Sequence, residues 1–385
     1  MADGHSARTT GWLCDLLRKS SMSASPIRYA ASVEQPSPDE AKAIAGLEQT
    51  FQKIMETTAR DYSRAVRGVH AKGHGIVRGS LTVSDALTVE LAQGLFAGPG
   101  TYEAVFRIST APGDILDDGV SAPRGLALKV LGVPGERLPG SDDGDQDFLM
   151  VNGPVFGAPT PAAFLKNLKL LAATTDKGEG LKKAWSATLR VLEGALEAVG
   201  GSSVLLSQLG GAPEVHPLGE TYFSQTPYRY GDYIAKFSLV PISTGLTEVT
   251  GSKVNVSDRP DALREDVREV IVEQGGTWEL RVQLCRSLET MPVEDPTKPW
   301  DEKESPFQTV ATLRVEPQVT WEHGRSDREE DSLYFSPWHG LAAHQPLGSV
   351  NRARRQAYEF SGGFRSRTNG CPMHQIKQLE ELNVE

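Results

Sequence analysis

The sequence is poor in cysteine and contains no long hydrophobic run. Its three cysteines, Cys14, Cys285 and Cys371, lie far apart in a chain of 385 residues. An odd number of distant cysteines argues against a disulfide framework, and it favours a reducing compartment such as the cytoplasm. No apolar run approaches the roughly 20 residues that cross a bilayer as a helix. We therefore expect no integral membrane segment.

Positive charge is also in deficit, because the formal net charge is −10 at neutral pH. This acidic balance argues against general binding to nucleic acids or to anionic membranes. A hydrophobic share of 39% and a charged share of 23% are compatible with a packed globular protein. Residues 1–36 are rich in serine, alanine and proline and are expected to form a flexible leader. Residues 37–385 are expected to form one domain.

Hydrophobic periodicity predicts helices and strands along this domain. Ser37, Pro38 and Glu40 predict a capped helix start, and apolar residues at helical spacing extend this helix to about Tyr62. The absence of βαβ alternation indicates an α+β fold around an antiparallel sheet or barrel, with its core over about 66–330. The predicted strands are 102–110, 124–133, 148–151, 232–240, 278–284 and 309–315, and further helices are predicted from Thr160, over 181–199 and over about 349–361.

Residues 66–75, Val-Arg-Gly-Val-His-Ala-Lys-Gly-His-Gly, form an unusual stretch that reads as a strand. Glycines inside a strand pattern often mark the close approach of a backbone or ligand. His70 lies in this run, and a neutral imidazole there could relay protons, although a structural histidine is the simpler interpretation. His70 and His74 as a zinc pair would lack a third ligand. The acidic segment 135–147 is predicted to be a solvated loop, with calcium binding by 142–147 as the less favoured alternative.

The last predicted helix carries an arginine and a tyrosine on one face. Arg354 and Tyr358 are four residues apart, so their side chains can touch. A guanidinium beside a phenol oxygen favours the phenolate, and a tyrosinate can act as an axial ligand of ferric haem. On this spacing alone, a solvated basic helix with one core tyrosine is the simpler interpretation.

Several short motifs occur in a defined order over residues 38–367. They are Arg-Gly-Val-His-Ala-Lys-Gly (67–73), Phe-Arg-Ile-Ser-Thr (106–110), Pro-Arg-Gly (123–125), Asn-Gly-Pro (152–154), Phe-Ser-Pro (335–337) and Arg-x-x-x-Tyr (354–358). Together they resemble the haem catalase family, and more closely its small catalase-related branch of peroxidase-like and hydroperoxide-rearranging enzymes. The resemblance implies a catalase-like antiparallel β-barrel with surrounding helices, a C-terminal proximal haem helix and haem b as the cofactor.

The resemblance also implies roles for individual residues. His70 is similar to the distal acid–base histidine, Ser109 would set its tautomer, and Asn152 would be the distal amide. Tyr358 would be the iron ligand, with Arg354 as its charge partner. The remaining expected haem contacts are Arg67, Arg107 and Arg365 on the propionates, Val69 beside the distal histidine, and Phe164 over the distal face.

The activity implied is that of a catalase- or peroxidase-like oxidoreductase acting on hydrogen peroxide or organic peroxides, with a role in oxidative stress. His70 would take a proton from the peroxide and return it to the leaving oxygen, while Asn152 orients the substrate. Two alternatives are an isomerase or lyase that rearranges a lipid hydroperoxide and a haem-binding protein without turnover. Val69 favours the catalase side, because the rearranging relatives place a hydroxyl residue there. A homo-oligomer is compatible with this interpretation.

The position of the iron ligand has a rival. The spacer 338–350 after Phe-Ser-Pro is longer than in large catalases, so a gapless alignment places His344 near the expected arginine. Tyr358 is the preferred ligand, because the Arg-x-x-x-Tyr spacing is restored there and Arg365 follows at the expected distance. His344 stays open as an alternative iron ligand.

Overall fold

The computed structural model describes residues 24–141, 144–172, 213–370, 376 and 378–382. Most of the predicted leader and the helix predicted from Leu181 lie outside these residues. Within the described part, no helix is both long and apolar enough to cross a membrane.

A closed antiparallel β-barrel forms the centre of the molecule. Eight strands pair around the ring in the order β1-β2-β3-β4-β5-β7-β8-β9, and β9 pairs back with β1. The short β6 lies outside this ring and pairs only with β7 among the named strands. The strands are β1 (Gly73–Val83), β2 (Thr101–Thr110), β3 (Arg124–Val130), β4 (Gln146–Val151), β5 (Tyr222–Phe223), β6 (Tyr228–Tyr230), β7 (Tyr233–Pro241), β8 (Gly276–Leu284) and β9 (Gln308–Val315).

Alternation along the strands fills the barrel and also supplies its outer face. In β2, Ala104, Phe106 and Ile108 join the main hydrophobic core of the barrel. The intervening Val105 belongs instead to a second cluster with Leu333 and Phe335 on the other side of the sheet. Successive strand residues point to opposite faces, so Arg107 and Ser109 share the outer face with Val105. The outer face of β2 thereby carries Arg107 and Ser109, two of the predicted site residues.

Six helices surround the barrel among the described residues. Three of them pack together through Leu47, Leu168 and Ala353, which belong to one buried cluster. Three of the six, over 244–247, 262–274 and 325–332, were not predicted. The helices are α1 (Glu40–Tyr62), α2 (Pro161–Ala172), α3 (Thr244–Thr247), α4 (Ala262–Gln274), α5 (Arg325–Ser332) and α6 (Ser349–Asn369).

The start of α1 differs from the prediction. Asp39 is the N-cap residue, and the backbone carbonyl of Ser37, not its hydroxyl, accepts the N–H of Glu40. The Glu40 carboxylate pairs with Arg352 of α6, at 2.7 Å. A tertiary ion pair therefore takes the carboxylate that the predicted capping box would have used.

The solvated acidic loop predicted over 135–147 is wrong at its end. Asp145 and Asp147 are fully buried, and β4 already begins at Gln146. The fully buried ammonium group of Lys129 lies 2.8 Å from Asp147 and 3.3 Å from Asp145. Burial of carboxylates is tolerated here because an opposite charge is buried with them.

Candidate active site

A cavity lies between the outer face of the barrel and helix α6, and its empty space of about 750 Å³ includes open solvent. His70 lines it from the loop before β1, and Tyr358 lines it from α6. The strand residues Leu126, Ala127 and Leu149 add an apolar wall. The structure therefore brings the two main predicted site residues to one cavity.

His70 precedes the strand rather than lying in it. Its backbone has φ of 55°, in the left-handed region, and β1 begins at Gly73. This conformation is incompatible with a regular strand, so the strand assignment of His70 is wrong. The loop is held by backbone bonds from His70 N to the Ala111 carbonyl and from Ala71 N to the Pro112 carbonyl, both 2.9 Å. The turn directs the imidazole into the cavity wall.

The ring of His70 has one polar partner and one tight neighbour. Nδ1 lies 3.1 Å from Oγ of Ser109, whose hydroxyl also lies 3.4 Å from the carbonyl of Gly125. If that hydroxyl donates to the carbonyl, its lone pair accepts Nδ1–H and leaves Nε2 as the free base. A Cβ at Gly125 would come within 2.5 Å of the imidazole, so only glycine leaves room for the ring.

The imidazole of His70 is held in its neutral form. Burial is the largest cause, and the positive charges of Arg107, Arg354 and Arg67 add to it, so the pKa of His70 falls to about 3. Both effects disfavour the protonated ring. At neutral pH His70 can therefore accept a proton and has a strong tendency to return it.

Three arginines converge at one end of the cavity. Arg67, Arg107 and Arg365 all line it, and Arg67 and Arg107 both bond to the carboxylate of Glu330, Arg67 at 2.5 Å. Arg67 and Arg365 also donate to the Leu333 carbonyl, at 2.8 and 3.2 Å. Burial opposes ionisation of Glu330, but Arg107 and Arg67 outweigh it and lower its pKa to about 2. Glu330 is therefore ionised at neutral pH.

Tyr358 faces the cavity beside Arg354 on the same face of α6. The guanidinium carbon of Arg354 lies 5.6 Å from the centre of the Tyr358 ring, and Nη1 donates to Oδ1 of Asn351 at 3.2 Å. Burial would lower the pKa of Arg354, but Tyr358 and Tyr228 outweigh it and raise the pKa. Arg354 is thus a permanent cation between two phenols.

Asn152 and Phe164 lie near the cavity but do not line it. The amide nitrogen of Asn152 donates to Glu220 at 2.7 Å, and its oxygen accepts the Arg124 N–H at 2.8 Å. Phe164 packs in the cluster of α1, α2 and α6, with its ring 5.1 Å from Phe156. Val69, which belongs to the same cluster, does line the cavity.

The rival ligand His344 lies in a different part of the molecule. Its Nε2 accepts the N–H of Leu95 at 3.0 Å, and its ring packs against Phe96, Phe237 and Tyr230 of the barrel core. Burial lowers the pKa of His344 to about 3. His344 does not line the cavity that contains Tyr358. Its surroundings are those of a core histidine.

The charges at one end of the cavity suit a dianionic ligand such as haem. Arg67, Arg107 and Arg365 carry three positive charges and Glu330 one negative charge, so the four side chains sum to two positive charges. Among the described residues, the buried Nε of Arg365 has no hydrogen-bond partner. Between Tyr358 and Arg365, the residues of α6 that line the cavity are Ser361 and Gly362, which have small side chains or none. The cavity therefore offers one tyrosine oxygen as an iron ligand and three guanidiniums as partners for two ligand carboxylates.

Several residues of this site were missed in the sequence. Phe51 and Tyr334 line the cavity, and Glu330 and Tyr228 contact its arginines. The helical stripe of α1 indicated that Phe51 is buried, but not in which cluster. Glu330 gave no signal, because the run Arg-Glu-Glu-Asp at 328–331 has the composition of a solvated turn.

The chain has a catalase-like fold. It is similar to a fungal catalase in a crystal structure at 1.9 Å, with a TM-score of 0.55, 21% sequence identity and coverage of 82% of this chain and 63% of that chain. It is also similar to catalase A from Saccharomyces cerevisiae, with a TM-score of 0.55, 18% identity and coverage of 80% and 63%. The predicted fold is thereby confirmed.

The similarity is structural and partial. The matched region is less than two thirds of the length of either catalase. No protein-family model matches the chain, and no curated protein matches its sequence.

Proposed function

We propose that this protein is a haem-dependent enzyme that reduces hydrogen peroxide or organic peroxides. The observation that carries this proposal is one cavity lined by both His70 and Tyr358, with a cluster of arginines at one end. The catalase-like fold supports peroxide chemistry as the reaction class. Tyr358 would be the axial ligand, and Arg67, Arg107 and Arg365 would bind the propionates. When bound, the haem would supply the two-electron redox chemistry that cleaves the peroxide O–O bond.

His70 would handle the proton in this reaction. A neutral imidazole with Nε2 free accepts the proton of the bound peroxide and delivers it to the leaving oxygen. Ser109 keeps the ring in one tautomer and one orientation, at 3.1 Å from Nδ1. The low pKa of His70, about 3, helps the return of the proton, because the imidazolium is unfavourable in this wall.

Arg354 and Asn152 would have supporting roles. The cation of Arg354 lies beside the Tyr358 ring and would be its charge partner when Tyr358 binds the haem iron. Asn152 would orient the peroxide only after its amide exchanges the bond to Glu220 for one to the substrate. Glu220 would therefore compete with the peroxide for the amide of Asn152.

The test uses two variants loaded with ferric haem. Tyr358→Phe should lose haem or change its ferric absorption spectrum, because the phenolate ligand is gone. His70→Ala should keep haem but lose at least about 100-fold in peroxide turnover, the usual size of a general acid–base contribution. A wild-type ferric spectrum in Tyr358→Phe would rule out the proximal ligand and the proposal with it.

The choice of substrate separates the alternatives. Wild-type protein should be assayed with hydrogen peroxide and with a fatty-acid hydroperoxide, each with and without a reducing donor. Dioxygen release or donor oxidation supports the proposed oxidoreductase. Conversion of the fatty-acid hydroperoxide without donor or dioxygen release would instead indicate rearrangement. Haem binding without any turnover would indicate a non-catalytic haem protein.

A further inference from the structure

The cluster of Arg67, Arg107 and Arg365 contains the carboxylate of Glu330, to which the proposed function assigns no role. Glu330 lies in the last turn of α5, is 5% exposed, and receives bonds from Nε of Arg107 at 2.7 and 2.8 Å as well as from Arg67. The two arginines come from the loop before β1 and from β2, so one carboxylate ties two separate elements together. The Glu330 carboxylate bonds to the two guanidiniums that a ligand carboxylate would also bind.

The net charge of the cluster explains why Glu330 contacts the two arginines. Without Glu330 the three arginines would carry three adjacent positive charges, which repel each other inside the protein. Repulsion by Arg365 and Arg107 already contributes, after burial, to the lowered pKa of Arg67. With Glu330 the sum falls to two positive charges, which equals the charge of the two propionates in the proposed cofactor.

We propose that Glu330 is a built-in counterion that holds Arg67 and Arg107 in binding orientation and competes with the ligand carboxylates for them. This inference rests on the proposed function, because it takes haem as the dianionic ligand. Glu330 acts through the arginines and is a positioning residue. Its removal should destabilise the haem-free protein more than the loaded protein, since the propionates replace the lost charge.

By thermodynamic linkage, the difference in stability cost between the haem-free and the loaded protein appears as a change in haem affinity. If Glu330→Gln costs more stability in the haem-free state than in the loaded state, the variant must bind the dianion more tightly than wild type by the same factor. We expect the gain to be about fivefold or more, the lower end of measured couplings between sites. A neutral ligand of the same shape should show no gain, because it supplies no carboxylates.

The experiment titrates haem-free protein with protoporphyrin IX and with its neutral dimethyl ester, followed by fluorescence. Glu330→Gln should bind the diacid about fivefold or more tightly than wild type and the ester equally. Glu329→Gln is the matched control: Glu329 is 1% exposed and bonds to Arg78 at 2.8 Å, outside the cluster. It should leave both affinities unchanged.

The outcomes separate the two proposals. Failure of wild-type protein to bind either porphyrin would count against haem as the ligand. Equal diacid affinities in wild type and Glu330→Gln, or an equal gain for the ester, would overturn the role of Glu330 alone. If Glu330→Gln does not fold, the double variant Arg67→Gln with Glu330→Gln restores the sum of two positive charges. Its folding would support charge balance, and its failure to fold would overturn it.

Discussion

At the residue scale, Gly125 fixes the orientation of the proposed proton-transfer residue by having no side chain. A Cβ there would lie 2.5 Å from Nδ1 and Cε1 of His70. That distance is well below van der Waals contact, and β3 is paired on both sides, so the imidazole must move. Gly125 thus connects the Pro-Arg-Gly motif to the proposed proton transfer by His70.

We predict that Gly125→Ala keeps haem but loses at least about 100-fold in peroxide turnover, because the displaced ring loses Ser109 and its proton-transfer geometry. The measurement is steady-state peroxide consumption at a haem occupancy determined by absorbance. Gly98→Ala is the control, since a Cβ there has no atom within 4 Å. Wild-type turnover in Gly125→Ala would show that the position of His70 does not limit the reaction.

At the scale of the element, one guanidinium links the first turn of α6 to three other parts of the chain. Arg352, in its first turn, bonds to Glu34, Glu40 and Glu294 at 2.6 to 3.0 Å, and its side chain is 17% exposed. These carboxylates belong to the segment before α1, to α1 itself and to the connection between β8 and β9. Arg352 therefore ties three separate parts of the chain to the helix that carries Tyr358.

We predict that Arg352→Met lowers the free energy of unfolding by about 2 to 4 kcal/mol, since three partly buried carboxylates lose their partner. It should also weaken haem retention, because α6 shifts with Tyr358. Arg314→Met removes a pair with Glu316 that is about 70% exposed on both sides, and it should cost less than about 1 kcal/mol. Denaturant unfolding measures both. Equal losses of stability in the two variants would contradict this role of Arg352.

At the scale of the whole molecule, buried histidines make stability depend on pH. Burial is the largest cause of the lowered pKa of His344, about 3, and of the lowered pKa of His74, to which nearby cations also contribute. Between about pH 6.5 and the folded-state values, the unfolded chain binds these protons and the folded protein does not. Stability is therefore full above pH 6.5 and is lost as the pH falls.

We predict that the free energy of unfolding of haem-free protein declines below pH 6.5, with each buried histidine adding up to about 1.4 kcal/mol per pH unit. Glu330, whose pKa is about 2, adds a further loss below pH 4.5. Between pH 6 and 4, His344→Phe should reduce the slope of the unfolding free energy against pH by the equivalent of one proton. This change is independent of any effect of the substitution on stability at pH 7. Denaturant unfolding at a series of pH values measures the slope, and an unchanged slope would contradict the assignment.

The sequence alone determined the elements whose physical cause is local. Alternation predicted β2 and β8 close to their observed bounds, because a strand with one face in the core must repeat every second residue. Helical spacing predicted α1 and the start of α6. The Arg-x-x-x-Tyr spacing also determined that Arg354 and Tyr358 share a face, since residues four apart on a helix are neighbours.

Tertiary structure alone decided what depends on distant partners. Asp147 reads as a solvated acid until Lys129 is placed opposite it on β3, and Glu330 reads as a surface residue until Arg67 and Arg107 converge on it. The left-handed turn at His70 likewise has no local signal, because its loop is fixed by backbone bonds to 111–112. Charge pairing and cavity formation join residues far apart in sequence, so periodicity cannot report them.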